Sequence, residues 1–402
     1  MNWSFGFCIE HRLPPTNLMT LQLQTISPPE LTAVPADGDR RPLSLPWLLT
    51  QCESAGASDL HLAPGRAPQL RVHGDLQPFA EEEPLSAADL EALSESMMNP
   101  AQHQSLRDRG SADGACSSPS GARFRFNIFL RQGQRALVFR QLESRFRTLA
   151  ELGMPDELYR LSELPDGLVV VSGPTGAGKS TTLATLLDKI NQERRCHMIT
   201  IEDPIEYVHV SKQAHVNQRE LHTDVPDFNE ALIAALRQDP DVILVGEIRE
   251  LKTIRTAITA AETGHLVFTT VHAGDCVGTI ERLVGVFPAD EQDGIRRQLS
   301  LVMRTVVNQQ LLSAVVKNGK KGRVAASEVL VNTPAVANLI ALGKSNQIYS
   351  AMETGRGVGM QTLEQDIARL WVTGRITEQT ANATCRNVPV MRERAALLRR
   401  GG

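Results

Sequence analysis

Residues 168–190 read LVVVSGPTGAGKSTTLATLLDKI, and this stretch decides the fold. A β-branched run ends at Ser172. Gly173-Pro174-Thr175-Gly176-Ala177-Gly178-Lys179-Ser180 then matches G-x-x-x-x-G-K-[ST], and a helix-length segment begins at Thr181. Strand, glycine-rich loop and helix in that order form a phosphate-binding loop. The glycines let main-chain N–H groups converge on phosphate oxygens, and the helix start adds positive potential. Lys179 is expected on the β- and γ-phosphates of ATP or GTP, and the Ser180 hydroxyl on Mg²⁺.

Outward from this loop, HMITIED (197–203), DVILVGE (241–247) and HLVFTTVH (265–272) are short apolar runs separated by helix-length segments. That rhythm predicts an α/β fold with a buried, mainly parallel sheet. Acids at the ends of such strands face the ligand crevice. Glu202 and Glu206, in Ile201-Glu202-Asp203-Pro204-Ile205-Glu206, are candidates for positioning Mg²⁺ and water. In DPDVILVGEIR a Gly246-Glu247 pair stands where a metal-linked Asp is usual, and Glu247 is a candidate proton acceptor for the attacking water. His272 leaves its strand where a γ-phosphate sensor would sit, whereas His265 reads equally well as structural.

The remainder of the 402 residues organises around this core. Residues 1–43 are proline-rich without a period and read as a mobile extension. Residues 44–145 read as a smaller α+β domain. It has a helix over 45–52, strand-like runs in 57–79, a helix capped by Ser86, a loop over 110–121 and a β-hairpin about Gln132-Gly133. Residues 146–166 read as a linker, 167–390 as the ATPase domain with C-terminal helices, and 391–402 as a tail. Helical spacing is expected through Ile295–Val316, a strand over 322–330, and helices about Pro334–Leu342 and Leu363–Trp371.

Composition narrows the function. Hydrophobic residues are 42% and charged residues 22%, ordinary values for a globular chain. Lys+Arg 42 against Asp+Glu 46 gives −4, and aromatics are 4%, so neither charge nor base stacking favours a nucleic-acid motor. No apolar stretch reaches bilayer length, and the N-terminus lacks the pattern of a secretory signal. The six cysteines are scattered and read as reduced thiols. A cytoplasmic protein is expected.

Taken together, GASDLHL, RFRFNIF, the loop at 173–180, ITIEDPIEY, DPDVILVGEIRE, TGHLVFTTVHA and MQTLEQDIARLWVTGRIT resemble the secretion ATPase superfamily of type II secretion and type IV pili. The retraction (PilT-like) branch resembles them most. The resemblance covers about residues 45–385 and implies a RecA-like core with a PAS-like N-terminal domain. It also implies a homohexamer at the inner-membrane base of a pilus, held to the membrane through a platform protein, with a paralogous pilus ATPase as a possible companion. On the same resemblance Glu247 is the catalytic base, with Glu206 and His272 in the Asp and His boxes. Thr181 belongs to the nucleotide loop. Arg282 matches an arginine reaching a neighbour's ATP, for which Arg123, Arg125 and Arg140 are further candidates. Read from the residues alone, Arg123 and Arg125 are a charged strand face. The retraction branch commonly carries AIRNLI where this chain reads Ala335-Val-Ala337-Asn338-Leu-Ile340, lacking the Arg. That departure keeps open an accessory retraction paralogue, or an assembly or secretion ATPase of a divergent system. A non-catalytic ATP-binding scaffold is the rival of another class.

Overall fold

Alternation of apolar and charged residues in RFRFNIFLR builds the first sheet. Phe124, Phe126 and Ile128 point into the core while Arg125 stays outside. The computed structural model describes residues 44–72, 74–79, 83–142, 145–317 and 320–400; the expected extension 1–43 lies outside them. Helix α1 (Leu45–Ser54) leads into β1 (Asp59–Leu62), β2 (Gln69–Val72) and β3 (Asp75–Pro78). Then come α2 (Ala87–Met97), α3 (Pro100–Arg109), β4 (Ser111–Ser117), β5 (Arg123–Arg131) and β6 (Gln134–Gln141). The strands form a six-stranded sheet in the order β3-β2-β1-β6-β5-β4. Helix α2 starts at Ser86 through a reciprocal capping box with Asp89, as the sequence predicts.

Two expectations about this region change. The segment 110–121, expected as a loop, contains β4, which pairs antiparallel with β5 from Ser111↔Phe129 to Ser117↔Arg123. SADGACS has little strand propensity; the free edge of β5 imposes the conformation. Gly114 is needed there, because a Cβ would lie 2.4 Å from Gln102 Nε2 and from the Phe126 ring. The segment 146–166, expected as a linker, holds α4 (Leu149–Leu152) and a 3₁₀ turn (Asp156–Ser162). Its Leu149, Met154, Leu158 and Leu161 are buried against Leu183, Leu187 and Ile190. It is a packed layer rather than a loose tether.

The second sheet carries the phosphate-binding loop. Its elements are β7 (Gly167–Ser172), α5 (Lys179–Glu193), β8 (His197–Glu202), β9 (His215–Glu220), α6 (Phe228–Ala235), β10 (Val242–Val245), α7 (Leu251–Glu262) and β11 (Leu266–Val271). They continue with α8 (Cys276–Gly285), α9 (Gln292–Val302), β12 (Met303–Lys317) and β13 (Lys320–Val331). The order is β13-β12-β7-β11-β10-β8-β9, with every neighbouring pair parallel except β12 and β13. Ile295–Val316, expected as helical throughout, is helix only to Val302. From Met303 the chain joins β7 as a strand, because VVNQQLLSAVV is as compatible with a buried ladder as with a helix. Strand β9, of mixed polarity, had no apolar signature to announce it.

Helices α10 (Pro334–Ala341), α11 (Ser345–Thr354), α12 (Leu363–Val372), α13 (Glu378–Thr384) and α14 (Val388–Arg400) complete the described chain. The expected tail 391–402 is therefore mostly helix. Met391 and Ala395 are buried in one cluster with Ile367, Leu370 and Ile376. Both sheets belong to one compact unit, Ser44–Gly402.

Met391→Ala removes a fully buried side chain from this cluster and is expected to cost about 2 kcal/mol or more. A fall of several degrees in Tm by circular dichroism checks it. An unchanged Tm would mean that α14 contributes nothing to the core.

Candidate functional site

The phosphate-binding loop is pinned from the neighbouring strand. Gly173 has φ +144°, and a Cβ there would sit 2.1 Å from the Gln309 carbonyl oxygen of β12. The Gln309 side chain completes the clasp: Nε2 donates to Ala177 O at 2.7 Å and Oε1 accepts from Thr182 Oγ1 at 2.8 Å. Gln309 is 1% exposed. The sequence reading missed it, although three polar residues, Asn308-Gln309-Gln310, inside an apolar run were a signal. Helix α5 opens at Gly178 in the left-handed conformation without a side-chain cap, which leaves its first turn to a ligand. Lys179 Nζ donates to the carbonyls of Gly173 and Pro174 at 3.0 and 3.1 Å. Burial lowers its pKa, against the attraction of Glu247 and Glu206.

A cavity of about 980 Å³ opens over this loop. Thr175, Gly176, Ala177, Gly178, Lys179, Ser180 and Thr181 line one side, and Glu202, Glu206, Glu247 and His272 line another. Arg125 and Arg140 reach its wall from the first sheet. Glu247 is the most constrained acid. Arg249 donates from Nη2 to Oε2 at 2.6 Å and its Nε lies 2.6 Å from Oε1; His272 Nε2 is 3.3 Å away. The backbone under Glu247 is fixed as well. Gly246 N donates to Ile201 O at 2.8 Å, and a Cβ at Gly246 would meet that oxygen at 3.2 Å. Close packing of this turn on β8 leaves a side chain at 246 little room. Burial and Lys179 lower the His272 pKa, so at neutral pH the ring is uncharged.

Glu202 differs from the other acids. Burial pushes its carboxyl up to about 7, although Thr200 Oγ1 and Gln218 Nε2 both donate to Oε1, at 2.6 and 3.0 Å. Tyr207 OH donates to Thr181 Oγ1 at 3.0 Å and so braces the loop next to Glu206.

The remaining candidates separate. Arg123, offered as a cation for a neighbour's nucleotide, is committed within its own chain: Nη2 donates to Glu220 Oε2 at 3.1 Å. The same oxygen accepts from Ile205 N at 3.1 Å, which ties the first sheet to the acidic loop. Arg140 donates to buried Asp59 at 2.8 Å and is 70% exposed, and Arg125 lies 3.6 Å from Asp113 at the surface. Arg282 is exposed on the last turn of α8, outside the cavity wall. His265 bonds Ala260 O through Nδ1 at 2.9 Å and serves the α7–β11 turn.

The family model for type II/IV secretion system proteins matches residues 49–383. The chain belongs to this family. It is 46% identical over 334 residues to the type IV pilus retraction ATPase PilT of Pseudomonas aeruginosa, covering 83% of this chain and 96% of the relative. It is 44% identical over 320 residues to a twitching motility protein of Neisseria gonorrhoeae, covering 80% and 84% of the two chains. A crystal structure of the pilus retraction motor PilT with bound ADP superposes with a TM-score of 0.79 at 38% identity, over 86% of this chain and 98% of that one. The mixed α/β architecture is that of a RecA-like secretion ATPase with a smaller N-terminal domain.

The donor set suits a magnesium nucleotide. Among the described residues no group of three His, Cys, Asp or Glu side chains converges as a metal cage. Magnesium held on substrate phosphates would need only one or two protein oxygens, and Ser180 and the lining acids are the groups that would offer them.

The raised Glu202 carboxyl carries a sign. Its folded pKa lies above the unfolded value, so the ionisation penalty is absent while it is protonated and grows as pH rises from about 4.5 to about 7. In nucleotide-free protein, Glu202→Gln is expected to raise Tm at pH 8, and the gain should shrink towards pH 5. A gain that is equal at both values would count against the shift.

Proposed function

We propose that this chain is a Mg²⁺-dependent ATPase that works as a homohexamer and powers type IV pilus retraction, acting from the cytoplasmic side on an inner-membrane platform protein. The observation that carries it is the gathering of Lys179, Glu247 and His272 around one cavity that also receives Arg125 and Arg140 from the N-terminal sheet. Similarity to retraction ATPases over nearly their full length supports the same reading. Among the described residues no helix is long and apolar enough to cross a membrane, so membrane contact would come through a partner.

In this reading Lys179 and the α5 N-terminus hold the β- and γ-phosphates of ATP. Magnesium, when bound beside Ser180, neutralises charge on those phosphates. Glu247 accepts the proton of the attacking water as its oxygen bonds to the γ-phosphorus, the bond to the β–γ bridging oxygen breaks, and ADP leaves. Arg249 holds the Glu247 carboxylate in place, and the uncharged His272 hydrogen-bonds beside it. Arg282, and Arg125 and Arg140 once they leave their partners Asp113 and Asp59, are the exposed cations that would meet a neighbouring subunit's nucleotide, making hydrolysis depend on assembly. Glu202 and Glu206 order water and metal at the strand ends. Residues 44–145 and 167–390 act as the two moving parts, with 146–166 between them.

The second reading, an accessory retraction paralogue, is favoured by one observation. Helix α10 presents Ala335, Ala337 and Asn338 where the retraction branch carries an Arg-containing motif.

Glu247→Gln is expected to lower ATP turnover by about a hundredfold or more while nucleotide binding survives. Unchanged turnover would remove Glu247 from catalysis, and a wild type without turnover would favour a scaffold. In the host, more surface pili with lost twitching in the Glu247→Gln strain is the outcome expected of retraction. Fewer pili would place the motor on the assembly side, and an unchanged count would favour the accessory paralogue.

A further inference from the structure

The loop that follows His272 is small and unencumbered, Ala273-Gly274, and it is held from outside. Asn308 Nδ2 donates at 3.0 Å to Ala273 O and at 3.0 Å to Ser172 Oγ, so one side of the loop is tied to the strand that enters the phosphate-binding loop. The other side is tied to the C-terminal helices. Arg386 Nη2 donates to Gly274 O at 2.6 Å, and Nη1 lies 3.4 Å from Glu328 and 3.7 Å from Asp275, the N-cap of α8.

The placement of Arg386 is over-determined. It sits in the connector between α13 and α14, where Arg386 N and Asn387 N donate to Glu364 Oε1 at 3.2 and 3.3 Å. Glu364 in turn accepts from Tyr349 OH at 2.9 Å. Glu328 is 0% and Glu364 1% exposed. Burial raises the Glu328 carboxyl and Arg386 opposes that shift, so the guanidinium is drawn to the buried acid at a place where it also meets Gly274. Its planar fork serves the carbonyl and the carboxylates together, which a lysine would do less completely.

We propose that Arg386 is a positioning residue for His272, through which the helices α12–α14 set the orientation of the His-bearing loop beside Glu247. The proposal rests on the reading of Glu247 and His272 as groups acting on ATP. It goes beyond that reading by making the far C-terminal helices part of the hydrolytic machinery. Anything that shifts those helices would then change the rate of hydrolysis without touching the cavity itself.

The test is a cycle of Arg386→Ala and His272→Ala, each alone and together, with kcat and KM for ATP. Arg386→Ala is expected to lower kcat about tenfold, with KM changed by less than about twofold, since small misplacements of a catalytic group cost rate rather than binding. In the His272→Ala background it should cost nothing further, and Arg386→Lys should recover part of the loss. An unchanged kcat, or an equal fall in both backgrounds, overturns the proposal. Because Arg386→Ala strands Glu328, the pair Arg386→Ala with Glu328→Gln keeps a folded protein available for the same measurement. Should the wild type show no turnover, the motor reading fails while the restraint stays testable by amide hydrogen exchange over residues 272–276. Faster exchange in Arg386→Ala upholds the restraint, and unchanged exchange overturns it.

Discussion

Strands β7 and β12 lie so close that the chain can turn into its phosphate-binding loop only at a residue without a side chain. A Cβ on Gly173 would stand 2.1 Å from Gln309 O, well inside contact distance. The approach that forbids a side chain also brings the Gln309 amide onto Ala177 O and Thr182, clasping the end of the loop to the start of α5. The register of β12 on β7, with Asn308 opposite Ser172, then places Asn308 against the His272 loop. Phosphate loop, strand and imidazole are thus arranged by one strand pairing.

Around that arrangement the chain concentrates negative charge and answers it unequally. Glu247 has the Arg249 guanidinium across both oxygens, Glu220 has Arg123, and Glu328 has Arg386. Glu202 has only neutral donors, and its carboxyl is held near 7. Glu328 is also pushed up to about 7 by burial, in spite of Arg386. The cavity wall accordingly offers one buried lysine, a helix start and a few surface arginines rather than a basic field. This is consistent with a whole-chain charge of −4.

Two contacts bind distant parts of the chain to this centre. Arg123–Glu220–Ile205 joins the first sheet to the acidic loop, and Arg386–Gly274 joins the C-terminal helices to the loop after His272. Each has a buried or nearly buried carboxylate at its heart. Such groups make the connection stiff, since losing the cation leaves an uncompensated charge.

The sequence by itself determined the phosphate-binding loop, the parallel core and the acids and histidine at the strand ends, because these depend on local patterns: β-branched runs, glycine spacing and a carboxylate at a strand tip. Tertiary structure alone decided the rest. SADGACS became β4 because an edge was open beside it, and residues 303–317 became a strand because β7 pairs with Met303–Asn308 and β13 with Thr305–Lys317. Residues 391–400 became helix because Met391 and Ala395 found the apolar face of α12. The residues alone read Arg123 as part of a charged strand face and the resemblance offered it to a neighbour's nucleotide; the fold pairs it with Glu220. Gln309 and Arg386 carried no motif at all. Their importance comes from carbonyls at Ala177 and Gly274 that lie far away in the chain, and a main-chain acceptor leaves no mark on the sequence.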